Sequence, residues 1–195
     1  MLTRLGAWLF RNRTAIPLPL AIVLLIVPAT SSSVRLRMAG LALVAAGEWV
    51  RFLAVRHIGA VSRTRTDRLG PLVAGGPFRW VRNPLYLGNT ALWLGLTLTA
   101  GLPWLAAPVA LLLAFEYHAI VRWEEQLLAA RLGEPYRRYV EMVPRWMPRP
   151  PSTTAATTEA PFTWRATLFS ERGTLIAIGV AFLLLWVKAF LQAGA

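Results

Sequence analysis

The chain has 195 residues, 56% of them hydrophobic and only 15% charged, against roughly 25% charged in an ordinary soluble domain, so a bilayer rather than water is its natural solvent. It contains no cysteine, which excludes disulfides, thiolate metal sites and a cysteine nucleophile, and its two histidines, His57 and His118, lie too far apart in sequence to make a metal signature. The net charge of +12 is carried almost wholly by arginines set between apolar runs. The positive-inside effect accounts for most of it, and with no nucleic-acid motif present no nucleic-acid partner is expected.

Residues 1–14 carry Leu2, Leu5, Trp8 and Leu9 with Arg4, Arg11 and Arg13, a spacing that suits a short amphipathic helix at the membrane interface. A cleaved signal peptide is the rival reading, because a small-residue Ala-Thr-Ser-Ser-Ser stretch follows the next apolar run. That run, 15–29, is the first span, slightly short for a hydrocarbon core of roughly 30 Å. Residues 36–55 form the second. Gly40 and Gly47 fall seven apart on one face, which allows close helix contact, and Glu48 and Arg51 are spaced to pair.

Residues 56–82 are too polar to span and too rich in glycine and proline for a helix, so they read as an ordered loop. The third span is 84–100, with Gly88 and Gly95 again seven apart. A tight, uncharged Gly101-Leu102-Pro103 connection makes an antiparallel hairpin with the fourth, 104–121. From 122 to 148 the chain is amphipathic, with a helix stopping at Gly133 and a shorter one opening at Pro135. The low-complexity stretch 149–161 reads as a flexible linker. Residues 162–195 supply an interfacial segment and a fifth span, 174–191, in which Lys188 is expected to snorkel outward. The expected fold is therefore an all-α membrane protein of about five transmembrane helices, with a core over 15–148 and a cytoplasmic cap of loops and short amphipathic helices. The two large basic loops place the cap and the N-terminus in the cytoplasm, against the milder vote of Arg35 and Arg37.

Three clusters carry possible chemistry. The first is Gly75-Gly76-Pro77-Phe78-Arg79-Trp80-Val81-Arg82-Asn83-Pro84-Leu85-Tyr86; alone it reads as an interfacial anchor at a helix start. The second is the Glu124-Glu125 pair, two of only nine acids, able to accept hydrogen bonds from a ligand or to pair with nearby arginines. The third runs from Gly133 through Tyr136 and Tyr139 to Val143-Pro144 and reads as a cap against the loop before the third span.

Taken in this order, Leu72-Val73, Gly76, Phe78, Arg82-Asn83-Pro84, Tyr86, Gly88, Glu124-Glu125, Leu132-Gly133, Tyr136, Tyr139 and Val143-Pro144 resemble the isoprenylcysteine carboxyl methyltransferase family, with its bacterial relatives and the phospholipid N-methyltransferases. The resemblance covers about 48–148. It implies S-adenosylmethionine as cofactor, contacted by Leu72, Val73, Phe78, Asn83, Pro84, Leu85, Tyr86 and Glu124, with Glu125 second in rank, and a lipophilic acceptor entering from the bilayer of a bacterial inner membrane. It implies no metal and leaves the catalytic residue unknown. Asn83 stands where the family usually has histidine, and Ile120 where the prenylcysteine enzymes have an arginine facing the acceptor carboxylate. Arg122 is no substitute, being turned about 200° from Ile120 on a helix. Two other readings stand beside methyl transfer: a non-catalytic subunit that docks a membrane partner through its last helix, and a membrane reductase using a nicotinamide cofactor.

Overall fold

The computed structural model describes residues 2–31, 33–59, 72–150 and 162–193; the 60–71 half of the polar loop and the linker residues 151–161 lie outside them. Among the described residues all regular structure is helical: α1 (Leu2–Asn12), α2 (Pro17–Ile26), α3 (Val34–Ile58), α4 (Pro84–Thr99), α5 (Ala106–Leu132), α6 (Glu134–Met142) and α7 (Trp164–Ala193), with a 3-10 turn at Gly76–Arg79. Three helices, α3, α5 with its leading turn, and α7, are long and apolar enough to cross a bilayer; α1 and α2, bent by 63° at their junction, make a fourth if taken together. At 16 residues, α4 falls short of the roughly 20 that a bilayer core asks of an upright helix.

The closest packing in the bundle is between α3 and α4, and glycine makes it possible. Gly40 faces Gly95 and Gly47 faces Gly88. A Cβ on Gly95 would meet the Gly40 carbonyl at 2.6 Å, and one on Gly47 would meet the Gly88 carbonyl at 2.7 Å. The two seven-residue spacings thus interlock as one antiparallel seam, the small-residue contact by which helices associate where lipid removes the hydrophobic drive. The α4–α5 turn needs Gly101 at φ +74°, and its carbonyl accepts from the backbone amides of Thr30 and Ser31.

Helix α5 runs unbroken from the apolar span to Leu132, because no breaker separates residue 121 from Gly133. Gly133, at φ +59°, ends it, and Pro135 sits in the first turn of α6. Helix α1 packs on α5, with Gly6 against the Ala119 carbonyl and Leu9 and Phe10 in a core with Leu113 and Tyr117.

Helix α7 is held at both ends. Near its start Glu171 accepts from Arg51 at 2.7 Å, and Thr174 accepts from the same guanidinium at 3.1 Å. Near its end Lys188 is buried, donating to the carbonyl of Leu24 at 2.7 Å and of Ala100 at 3.4 Å. The expectation that Lys188 snorkels outward is thereby corrected: the ends of α2 and α4 leave carbonyls without helical donors, and an ammonium between them satisfies both.

Gly95→Ala should lower stability by about 1–3 kcal/mol, since the new methyl meets backbone rather than a flexible side chain. Gly179→Ala, with nothing within 4 Å, should be neutral or raise stability by up to about 1 kcal/mol. Thermal unfolding in detergent of both variants checks the pair of signs.

Candidate functional site

The segment before α4 is drawn over the end of α5 by Glu125. Its carboxylate accepts two bonds from Arg145, at 2.9 and 2.6 Å, and lies 3.2 Å from a terminal nitrogen of Arg82. The Arg145 contact is the bidentate fork that a guanidinium makes best. Held this way, Arg145 is pushed further up from an already high value, chiefly by its hydrogen bonds to Glu125. Backbone bonds complete the clasp, from Arg82 N to the Pro144 carbonyl at 2.9 Å and from Arg149 N to that of Trp80 at 3.0 Å. Asn83 donates its side-chain amide to the Arg145 carbonyl at 3.2 Å. From α6, Tyr139 donates to the Phe78 carbonyl at 2.8 Å. Burial pushes the Tyr136 and Tyr139 phenols up, so Tyr139 remains the donor this bond requires.

Beneath the clasp lies a cavity of about 800 Å³. All nine residues expected at a ligand site, Leu72, Val73, Phe78, Asn83, Pro84, Leu85, Tyr86, Glu124 and Glu125, line it. They come from two stretches of the chain, 72–86 and 124–125. Tyr86 donates to Glu124 at 3.0 Å, and its ring lies 4.8 Å from that of Tyr117. The two adjacent acids divide the work, since neighbours on a helix point about 100° apart: Glu125 is taken up by arginines, whereas Glu124 bonds a phenol at the cavity wall.

Several lining residues were not singled out from sequence. Arg82 belongs to a sequence motif, but that its Nε and one terminal nitrogen are buried without a hydrogen-bond partner is visible only in the folded loop. Glu116 lies on the same face of α5 as Ile120 and Glu124, at four-residue intervals. It is 5% exposed and has no hydrogen bond or ion pair among the described residues. The i, i+4, i+8 spacing of 116, 120 and 124 was the available signal. Ile120 is fully buried on the cavity wall, so the position that departs from the prenylcysteine pattern lines the cavity as an apolar group, while Arg122 is exposed. Arg51, bonded to Glu48, Asn89 and Glu171, and Glu171, Thr174 and Ile178 of α7 also line the space, joining the last helix to it. No group of three or more histidines or acids among the described residues could hold a metal.

The cavity has two characters. Near the clasp its walls are polar and aromatic. Farther along α4 and α7 they become apolar, at Leu92, Trp93, Leu96, Ile178 and Ala181. From Pro84 to Leu96 this extends over about 18 Å of helix at 1.5 Å per residue. The cavity thus joins a polar end to an apolar one in a protein with helices long and apolar enough to cross a bilayer. The phospholipid methyltransferase family model matches residues 36–134, half of the chain, and the protein belongs to that family. The match spans the glycine seam, the loop and the glutamate pair. No curated protein and no solved structure matches the chain.

Glu125→Ala should release the clasp. Two arginines lose their shared partner, at a cost on the order of 2–3 kcal/mol, below that of a fully buried pair because Arg145 is 27% exposed. Hydrogen exchange at the amides of Arg82 and Arg149 should accelerate, while that at Val44 and Leu92 in the glycine seam stays slow.

Proposed function

We propose that the protein is an integral membrane methyltransferase that binds S-adenosylmethionine at the polar end of the cavity and methylates an amine-bearing lipid reaching in from the apolar end. The observation that carries this is the complement of groups in one cavity: unpaired guanidinium donors on Arg82, a glutamate and tyrosines beside them, and a lone buried acid, Glu116, farther in.

The residues fit the cofactor. Its carboxylate suits the two orphaned donors of Arg82. Its ribose hydroxyls or amino group suit Glu124, and its sulfonium and adenine suit the faces of Tyr86, Tyr117 and Phe78. A volume of about 800 Å³ lies toward the upper end of the roughly 300–1,000 Å³ range of ligand sites, which leaves room for part of an acceptor. When bound, S-adenosylmethionine supplies a methyl group already activated by its sulfonium. The work left to the protein is alignment and the exclusion of water. The clasp shuts the polar end, and Tyr86 and Glu124 orient what lies beneath it. Glu116 is placed to hold an ammonium group and to take, at a carboxylate oxygen, the proton an amine must lose before it attacks. The same acid, with Ile120 beside it, disfavours a carboxylate acceptor, since the cavity-facing side of α5 presents Glu116, Ile120 and Glu124 and no cation.

The packing supports five crossings. The ends of α3 and α5 both meet the loop of the clasp, so α4 must run back between them. Helix α7 touches Arg51 at one end and Ala100 at the other. Helix α1 lies beside Ala119 while α2 ends near Ala100. With the basic segments inside, the clasp is cytoplasmic. The inward face of α7, engaged through Glu171, Thr174 and Lys188, supports that helix as a wall of the cavity rather than a free docking element.

Calorimetry on the purified protein should detect S-adenosylmethionine binding, and Glu124→Gln and Tyr86→Ala should each weaken it about tenfold. No heat of binding with the wild type, or unchanged affinity in both variants, would remove the assignment. Glu116→Gln should leave cofactor affinity within about twofold while methyl transfer to an aminophospholipid falls on the order of a hundredfold.

A further inference from the structure

A second cavity, of about 820 Å³, opens on the opposite face of the α3–α4 pair and shares only Pro84 with the first. Its trough is built from Ala46, Gly47, Val50, Leu87 and Ala91. From Ala46 to Arg56 the trough follows about 15 Å of α3, enough for the upper part of an acyl chain. At its head stand Arg56 and Arg79.

These two arginines are built for an anion. The Nε of each is buried with no hydrogen-bond partner, and neither has a carboxylate partner among the described residues. The Arg56 guanidinium lies 3.9 Å over the ring of Trp164, a stack that fixes its plane and leaves its edge donors available. Trp80, at the same level, is 48% exposed, as an aromatic at headgroup depth would be. Among the described residues the lining holds Arg56, Arg79 and His57 and no acid, so a phosphate finds donors there while the ammonium of a zwitterionic headgroup finds no carboxylate among them.

We propose that this groove binds one anionic phospholipid of the leaflet nearest the clasp, with its phosphate between Arg56 and Arg79 and an acyl chain along Ala46 and Ala91. The site is independent of the methyl-transfer reading and is separated from that cavity by the 3-10 turn. The turn presents Phe78 to the first cavity and Arg79 to the second, so a lipid held by Arg79 braces the wall that closes over Glu124.

The test is thermal unfolding of the full chain in detergent with added dioleoylphosphatidylglycerol, dioleoylphosphatidylcholine, or inorganic phosphate, with native mass spectrometry counting retained lipid. For the wild type, phosphatidylglycerol should raise Tm by about 5 °C at saturation and leave one lipid bound, with the other two additions nearly silent. Arg56→Gln with Arg79→Gln should abolish that rise, whereas Arg131→Gln with Arg137→Gln, exposed arginines at the same end, should keep it. Ala91→Trp fills the trough without touching a charge and should also abolish it; this arm decides the matter if the double arginine variant does not fold. The proposal is overturned if phosphatidylcholine is as effective, if phosphate alone reproduces the shift, or if phosphatidylglycerol stabilises the groove variants undiminished.

Discussion

Among the described residues, Glu125 is the one side chain of the clasp that pairs with both the segment before α4 and the segment after α6. One carboxylate receives Arg145 from beyond α6 and Arg82 from before α4, and it sits on α5, the helix that also carries Glu116 and Glu124. A charge in this position is costly unless paired, and the pairing is what folds the polar segment down. With it in place, Asn83, Phe78 and the backbone of Arg82 acquire their partners, and a cavity exists beneath them. Without it the same residues would be an arginine-rich loop at the membrane surface.

Below the clasp the problem is to keep polar groups at depth in a bilayer. The structure does this by pairing across distant helices. Arg51 of α3 meets Glu171 and Thr174 of α7, and Lys188 of α7 meets carbonyls of α2 and of the turn after α4. Intramembrane charges are rare and pair with one another or with backbone carbonyls, and here each pairing also fastens α7 to the core. Glu116 departs from the rule, having no such partner among the described residues, and on that ground it is proposed as a contact for a ligand rather than for the fold.

Much of this was legible in the residues, and what was missed follows a physical pattern. The two glycine pairs, seven apart, announced close contact faces, although only the fold shows that Gly40 meets Gly95 and Gly47 meets Gly88. Gly133 and Pro135 marked a helix end and a helix start through local backbone chemistry, which a sequence shows directly. The nine residues expected at a ligand site came from ordered motifs, and all nine line one cavity. Long-range pairing left no such mark. Arg51 and Glu171 are 120 positions apart, so α7 looked like an appendage, and Lys188 looked like a lone charge seeking water. Polarity after residue 121 suggested that a span was over, whereas α5 simply continues as a helix out of the apolar layer. The tryptophan and arginines of α1 suggested an interfacial segment, and the contact of Gly6 with Ala119 is visible only in three dimensions.

The most direct measurement is an electron cryo-microscopy structure of the protein with S-adenosylhomocysteine at saturating concentration. The account predicts ligand density under the clasp between Tyr86 and Glu124, with its carboxylate against Arg82 and its sulfur directed toward the Ile120–Glu116 wall. An empty cavity at saturation, ligand density elsewhere, or residues 72–83 lying away from Glu125 would contradict it.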